Sequence, residues 1–148
     1  MFDVVIKGYW TAVLTDENGN FKDKREGHNL VVTTGKEYLA NFLASSVGAA
    51  ASWTQKFIAI GTDSTAAALA DTALGTELSR TTGTASYTSG AIYDVIATFE
   101  AGDGTGAIVE YGLFSANAGG TMLSRDIEDV INKGASDTLT ITAQVTIG

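Results

Sequence analysis

The side chains in this sequence that could do chemistry are few, and their spacing does not assemble them. General acid–base catalysis most often recruits histidine, and the chain has one, His28. It follows a glycine in an expected strand-to-helix connection, with no partner fixed by spacing. A Ser–His–Asp arrangement can be drawn on paper from the many serines and aspartates, yet no spacing supports it. Two-carboxylate hydrolysis can be drawn as easily from Asp94, Glu100, Asp103 and Glu110. With no cysteine in the chain there is no thiol nucleophile, disulfide or thiolate metal site, and paired histidines are missing too. Asp16, Asn18 and Asn20 carry the alternating oxygens of a calcium loop. The bidentate glutamate such a loop needs is absent where Gly27 and His28 stand, so the reading is a turn. Gly102-Asp103-Gly104-Thr105-Gly106 has no following lysine and precedes a strand, which makes it a turn as well and not a phosphate cradle. The expectation is therefore no catalytic residue, no cofactor and no metal.

Glu110 is the exception that invites a role. It sits within an apolar run, Ile108, Val109, Tyr111, Leu113 and Phe114, whose near-continuous hydrophobicity suits a strand covered on both faces. A carboxylate buried there needs a partner. Arg80 or Arg125 can supply it, as a structural ion pair.

The elements that must position these groups are mostly strands. Residues 107–115 and 121–125 read as a hairpin around Ala116-Asn117-Ala118-Gly119-Gly120, whose Asn and paired Gly suit a tight turn. Residues 1–14 and 21–26 read as a second hairpin around Asn18-Gly19. Thr34, with Glu37 at capping-box spacing, opens one helix with an apolar stripe of Tyr38, Leu39, Phe42 and Leu43. It ends at Ser45-Ser46-Val47-Gly48. Residues 53–60, 77–86 and 91–101 read as strands, 62–76 as a long loop, and 128–135 as a polar connection. Residues 138–147 alternate Leu139, Ile141, Ala143, Val145 and Ile147 with polar residues, the period of a strand with one buried face. The expected fold is all-β: sandwich-like antiparallel sheets of about eight strands with one short amphipathic helix, in a single domain over residues 1–148.

Composition bounds the partners. A chain of 148 residues can bury enough surface for one core without staples. Its formal charge of −8, from 17 acidic and 9 basic residues, opposes phosphate backbones. The basic cluster Lys22-Asp23-Lys24-Arg25 is interrupted by acid, so nucleic acid is not an expected partner. No apolar run of about 20 residues is present, so no membrane span is expected. The opening Met1-Phe2-Asp3 lacks the features of a signal peptide, and synthesis in a cytoplasm is the expectation. Proline is absent, and we have no physical account of that.

Several stretches together resemble a recurring signature in small structural proteins of tailed bacteriophages. They are Asn29-Leu30-Val31-Val32-Thr33-Thr34-Gly35, Phe57-Ile58-Ala59-Ile60-Gly61, and Ala73-Leu74-Gly75-Thr76-Glu77 with Arg80. Glu110-Tyr111-Gly112-Leu113-Phe114, Gly120-Thr121-Met122-Leu123-Ser124-Arg125 and Ser136-Asp137-Thr138-Leu139-Thr140-Ile141 complete the set. The resemblance implies a non-catalytic virion component: most simply a capsid decoration, or cement, protein on the outer shell at capsomer junctions. Its partners would be the major capsid protein and copies of itself in a trimer. A tail, baseplate or fibre component is the alternative within that class. The long 62–76 loop is the expected inter-subunit contact, through Ser64, Leu69 and Leu74. From another class, Tyr9, Trp10 and Trp53 could form a sugar-stacking platform on a carbohydrate-binding module, against the expectation that they are core.

Overall fold

The computed structural model describes residues 5–44 and 55–148. Among these residues, nine strands form one antiparallel sheet: β1 (Ile6–Thr15), β2 (Phe21–Val31), β3 (Phe57–Gly61), β4 (Glu77–Thr82), β5 (Thr84–Ser89), β6 (Ile92–Phe99), β7 (Gly106–Phe114), β8 (Met122–Lys133) and β9 (Thr138–Ile147). One helix, α1 (Thr33–Ala44), follows β2 and packs on β8. The strand order is β4-β3-β7-β8-β2-β1-β9-β6-β5. The first and last strands of that order are consecutive in the chain, so the sheet curls nearly shut into a barrel.

Gly83 is the corner. Its amide donates to the Lys56 carbonyl at 2.7 Å, and a Cβ built there would lie 2.6 Å from Val95 Cγ1 and 3.0 Å from the carbonyl oxygens of Lys56 and Ile96. Only glycine lets one strand leave β3 and join β6 at so close an approach. The single strand expected over residues 77–86 is therefore two, which accounts for nine strands in place of about eight. β2 and β8 are also longer than expected: β2 continues past residue 26 to Val31, which puts His28 in a strand opposite Tyr9 and not in a connection. The polar residues of 128–135 continue β8 to Lys133, because Ile131 is buried in the core and the Lys133 ammonium donates to the Glu100 carbonyl at 2.9 Å.

The barrel interior is filled from every wall. Trp10, Leu14, Val95, Phe99, Ile108, Tyr111, Leu113, Leu139 and Ile141 belong to one buried cluster. The alternation read along residues 138–147 is the β9 pleat, with Leu139, Ile141, Ala143 and Val145 buried. Outside the barrel wall, Val32, Ala59, Leu74, Phe114 and Met122 make a second cluster. The cap lies two residues earlier than expected: the Val32 carbonyl accepts from the Lys36 amide at 3.1 Å, so Val32 and not Thr34 occupies the cap position. Thr34 lies within the helix and donates its hydroxyl to the Met122 carbonyl at 3.2 Å. The expected end of the helix, over residues 45–48, lies outside the described residues. Asp16 organises the β1–β2 turn, its carboxylate accepting from the amides of Asn18 (2.9 Å) and Asn20 (2.8 Å) and from the Asn20 side chain (3.1 Å). At the mouth of the first hairpin, Val5 and Gly148 exchange backbone hydrogen bonds of 2.6 and 2.8 Å, holding the beginning of β1 against the end of β9.

Candidate functional site

Glu110 lies on the outer side of β7, the face it shares with Gly112 and Phe114, and it is wholly buried. What buries it is the loop over residues 62–76. Its Oε1 accepts from the amides of Thr76 (2.8 Å) and Asp63 (3.2 Å), and its Oε2 from the Gly75 amide (2.9 Å). Arg125, across the β7–β8 ladder opposite Gly112, adds Nη2 at 3.0 Å and Nε at 3.2 Å to the same Oε2. Five donors from three segments thus converge on one carboxylate. Such a site holds charge without solvent, because each lone pair that water would have filled is met by a fixed N–H.

Arg125 extends the arrangement outward. Its Nη1 donates to Asp71 Oδ2 at 2.9 Å, and its Nη2 stands 3.6 Å from Asp63 Oδ2. Burial opposes its charge, but the bonds to Glu110 and Asp71 outweigh this and hold the guanidinium above its ordinary value. The loop also caps itself. Asp63 accepts from the Thr65 amide, which lowers its carboxyl, and Asp71 accepts from the Ala68 amide at 2.8 Å. A Cβ at Gly61 would fall 2.3 Å from Glu110 Oε1 and 2.4 Å from the Thr76 carbonyl, so a side chain at Gly61 would displace the carboxylate. The result is a clamp: one Glu–Arg pair folds a long loop down onto the barrel wall.

Arg80, the other candidate partner of Glu110, goes elsewhere. It grips Glu77 through two bonds of 2.9 and 2.6 Å and donates to the carbonyls of Ala116 (3.0 Å) and Gly119 (2.8 Å). Its guanidinium carbon lies 3.7 Å from the Phe114 ring centroid, a stacking geometry that arginine favours. It fastens β4 to the β7–β8 turn. Of the three loop residues expected at a subunit contact, Ser64 and Leu69 are exposed. Leu74 is not: it is buried in the second cluster of its own chain, against Phe114 and Gly112, which removes it from any contact surface.

Trp10 is buried within the barrel and cannot serve in a sugar platform. Tyr9 meets the His28 ring edge-on at 5.4 Å, and Trp53 lies outside the described residues. Among the described residues, no group of three or more His, Cys, Asp or Glu could hold a metal ion, and no helix is long and apolar enough to cross a membrane. Sequence reasoning missed a second acidic pair, buried Asp126 with half-buried Glu128 beside it. Their alternate spacing is the signal that would have found them, had residues 126–133 been read as a strand.

Fold and site define an antiparallel β-barrel domain whose buried ion pair binds its own loop. No family model, curated protein or solved structure matches the chain.

Proposed function

We propose that the chain is a structural, non-catalytic virion protein of a tailed bacteriophage, a capsid decoration protein that binds the outer shell at capsomer junctions. Its partners are the major capsid protein and copies of itself in a trimer. The observation that carries this reading is where the signature residues fall. Gly61, Gly75, Thr76, Glu110 and Arg125, drawn from four of the resembling stretches, are the atoms of one clamp. Leu74, Phe114 and Met122 from the same stretches, and Val32 from a fifth, pack beside it. A signature that encodes a loop fastening, with all of the Glu110 carboxylate spent on its own chain, fits a scaffold better than a reaction centre.

A clamped loop is presented in one conformation, so docking it costs little ordering entropy. Ser64 and Leu69 stand on its exposed side. The test uses shells that lack the protein, mixed with purified wild type or Leu69→Asp, and imaged. Wild type should occupy capsomer junctions over the whole shell, and Leu69→Asp should leave those positions depleted. Density confined to the tail would replace this reading with the tail or fibre alternative. Full occupancy by Leu69→Asp would remove the loop from the interface.

A further inference from the structure

β2 and β8 are neighbours in the sheet, but their ladder is short. Only Leu30↔Arg125 and Val31↔Ser124 are in register; the rest of β2 pairs with β1, and the rest of β8 with β7. The barrel wall therefore has a seam. Side chains across an antiparallel pair point to the same face. Trp10, Ala12 and Leu14 are core and stand opposite Gly27, Arg25 and Asp23, so these three face inward along the seam. By the same rule Asp126 faces inward opposite Tyr111. Glu128 lies across the seam: a Cβ on Gly27 would fall 1.7 Å from its Oε1, in space that only the bare glycine leaves open.

The seam is polar and incompletely bonded. Trp10 Nε1, the Tyr111 hydroxyl, Asn29 Oδ1 and Asp126 Oδ2 are buried with no hydrogen-bond partner among the described residues. Asp126 is 5% exposed. Burial first, and then the charge and hydrogen-bonding contact of Glu128, lift its carboxyl to about 7. Among the described residues, no cation answers it. Glu128 on its own strand and Tyr111 on β7 adjoin it, Asn29, Arg25 and Asp23 share the inward face from β2, and β1 contributes the uncharged Trp10. Arg25 is committed elsewhere: Nη1 to Asp23 Oδ1 at 2.5 Å, Nε and Nη2 to the carbonyls of Asp129 (3.2 Å) and Val130 (2.7 Å). It replaces backbone bonds the diverging strands cannot make.

The geometry points to a proton-operated latch on this seam: protonated Asp126 bonds the Glu128 carboxylate and keeps it seated over Gly27, and loss of that proton sets two like charges side by side and loosens β2 from β8. The sign follows from linkage. Asp126 is raised in the folded protein relative to an ordinary aspartate near 4, so between about pH 4 and 7 the folded chain holds a proton the unfolded chain has lost. Stability is greatest below that window and falls as pH rises through it. One proton changes the unfolding constant by up to about tenfold per pH unit.

The experiment is urea unfolding of the wild type and of Asp126→Asn from pH 5 to 8, with carboxyl carbon NMR of the wild type. Wild type should lose stability up to about pH 7 and then level off. Asp126→Asn, which keeps a neutral hydrogen-bonding group, should be nearly flat over the same range. The Asp126 carboxyl should titrate near 7. Backbone amide exchange of residues 23–29 and 126–132, taken relative to residues 75–76 in the clamp, should quicken through the same pH. An Asp126 midpoint below about 5, a pH-dependent fall that survives in Asp126→Asn, or seam and clamp amides that respond alike would each overturn the latch. Should Asp126→Asn not fold, Gly27→Ala serves instead: it expels the Glu128 carboxylate and should lower the Asp126 midpoint, and an unchanged midpoint would refute the coupling.

Discussion

Glu110 shows how much one side chain can be asked to hold. Its carboxylate joins β7, β8 and both ends of the 62–76 loop, so removing its charge leaves Arg125, with a side chain 3% exposed, short of the buried partner that takes two of its hydrogen bonds. Breaking one half of a buried pair costs about 3–5 kcal/mol. Since Asp71 and Asp63 remain beside the guanidinium, Glu110→Gln should fall at the lower end, about 3 kcal/mol, read from the urea midpoint. A change below about 0.5 kcal/mol would mean that the clamp does not anchor the loop. The need for a partner was legible in the sequence, because a carboxylate amid Ile108, Tyr111 and Phe114 must be satisfied. Which arginine was not legible, since both lie in strands near β7 and only register separates them. The three backbone amides were beyond reach, as they belong to a loop whose course depends on the carboxylate itself.

Among the elements, β9 was readable because its period matches the pleat over its whole length. The far half of β8 was not, because Asp126, Glu128 and Asp129 carry polar groups where the pattern of a buried strand requires apolar ones. They are tolerated because that half of β8 borders the seam. The break at Gly83 left no trace either: its glycine is demanded by backbone approaching from β3 and β6, contacts remote in sequence. Gly83→Ala should therefore cost about 1–3 kcal/mol in overpacking, measured by urea unfolding. Leu69→Asp should change the same midpoint by about 0.5 kcal/mol or less, since the side chain is half exposed and the Leu69 carbonyl keeps its bond from the Thr33 amide. A large loss there would show Leu69 to be a folding residue and not a surface one.

At the scale of the whole molecule, two sets of acids pull stability in opposite directions. Asp16, Asp23, Glu26, Asp63 and Asp137 are all held below their ordinary values, each chiefly by a hydrogen bond from a backbone or side-chain donor. Their contribution is present above the unfolded values and is lost as pH falls below about 4. Asp126 acts over the interval above. The melting temperature should therefore peak at mildly acidic pH, about 4–5, in a pH series at constant ionic strength; a maximum at or above pH 7 would contradict the Asp126 assignment. The paired bonds of Val5 and Gly148 carry a different consequence, a mechanical one. Tension applied between those two residues meets the β1–β9 ladder at its end, so the rungs open singly and in turn, as in a zipper. Tension applied along the strands loads all the rungs together in shear. The direction of pull on Val5 and Gly148 thus decides how firmly the β1–β9 ladder resists.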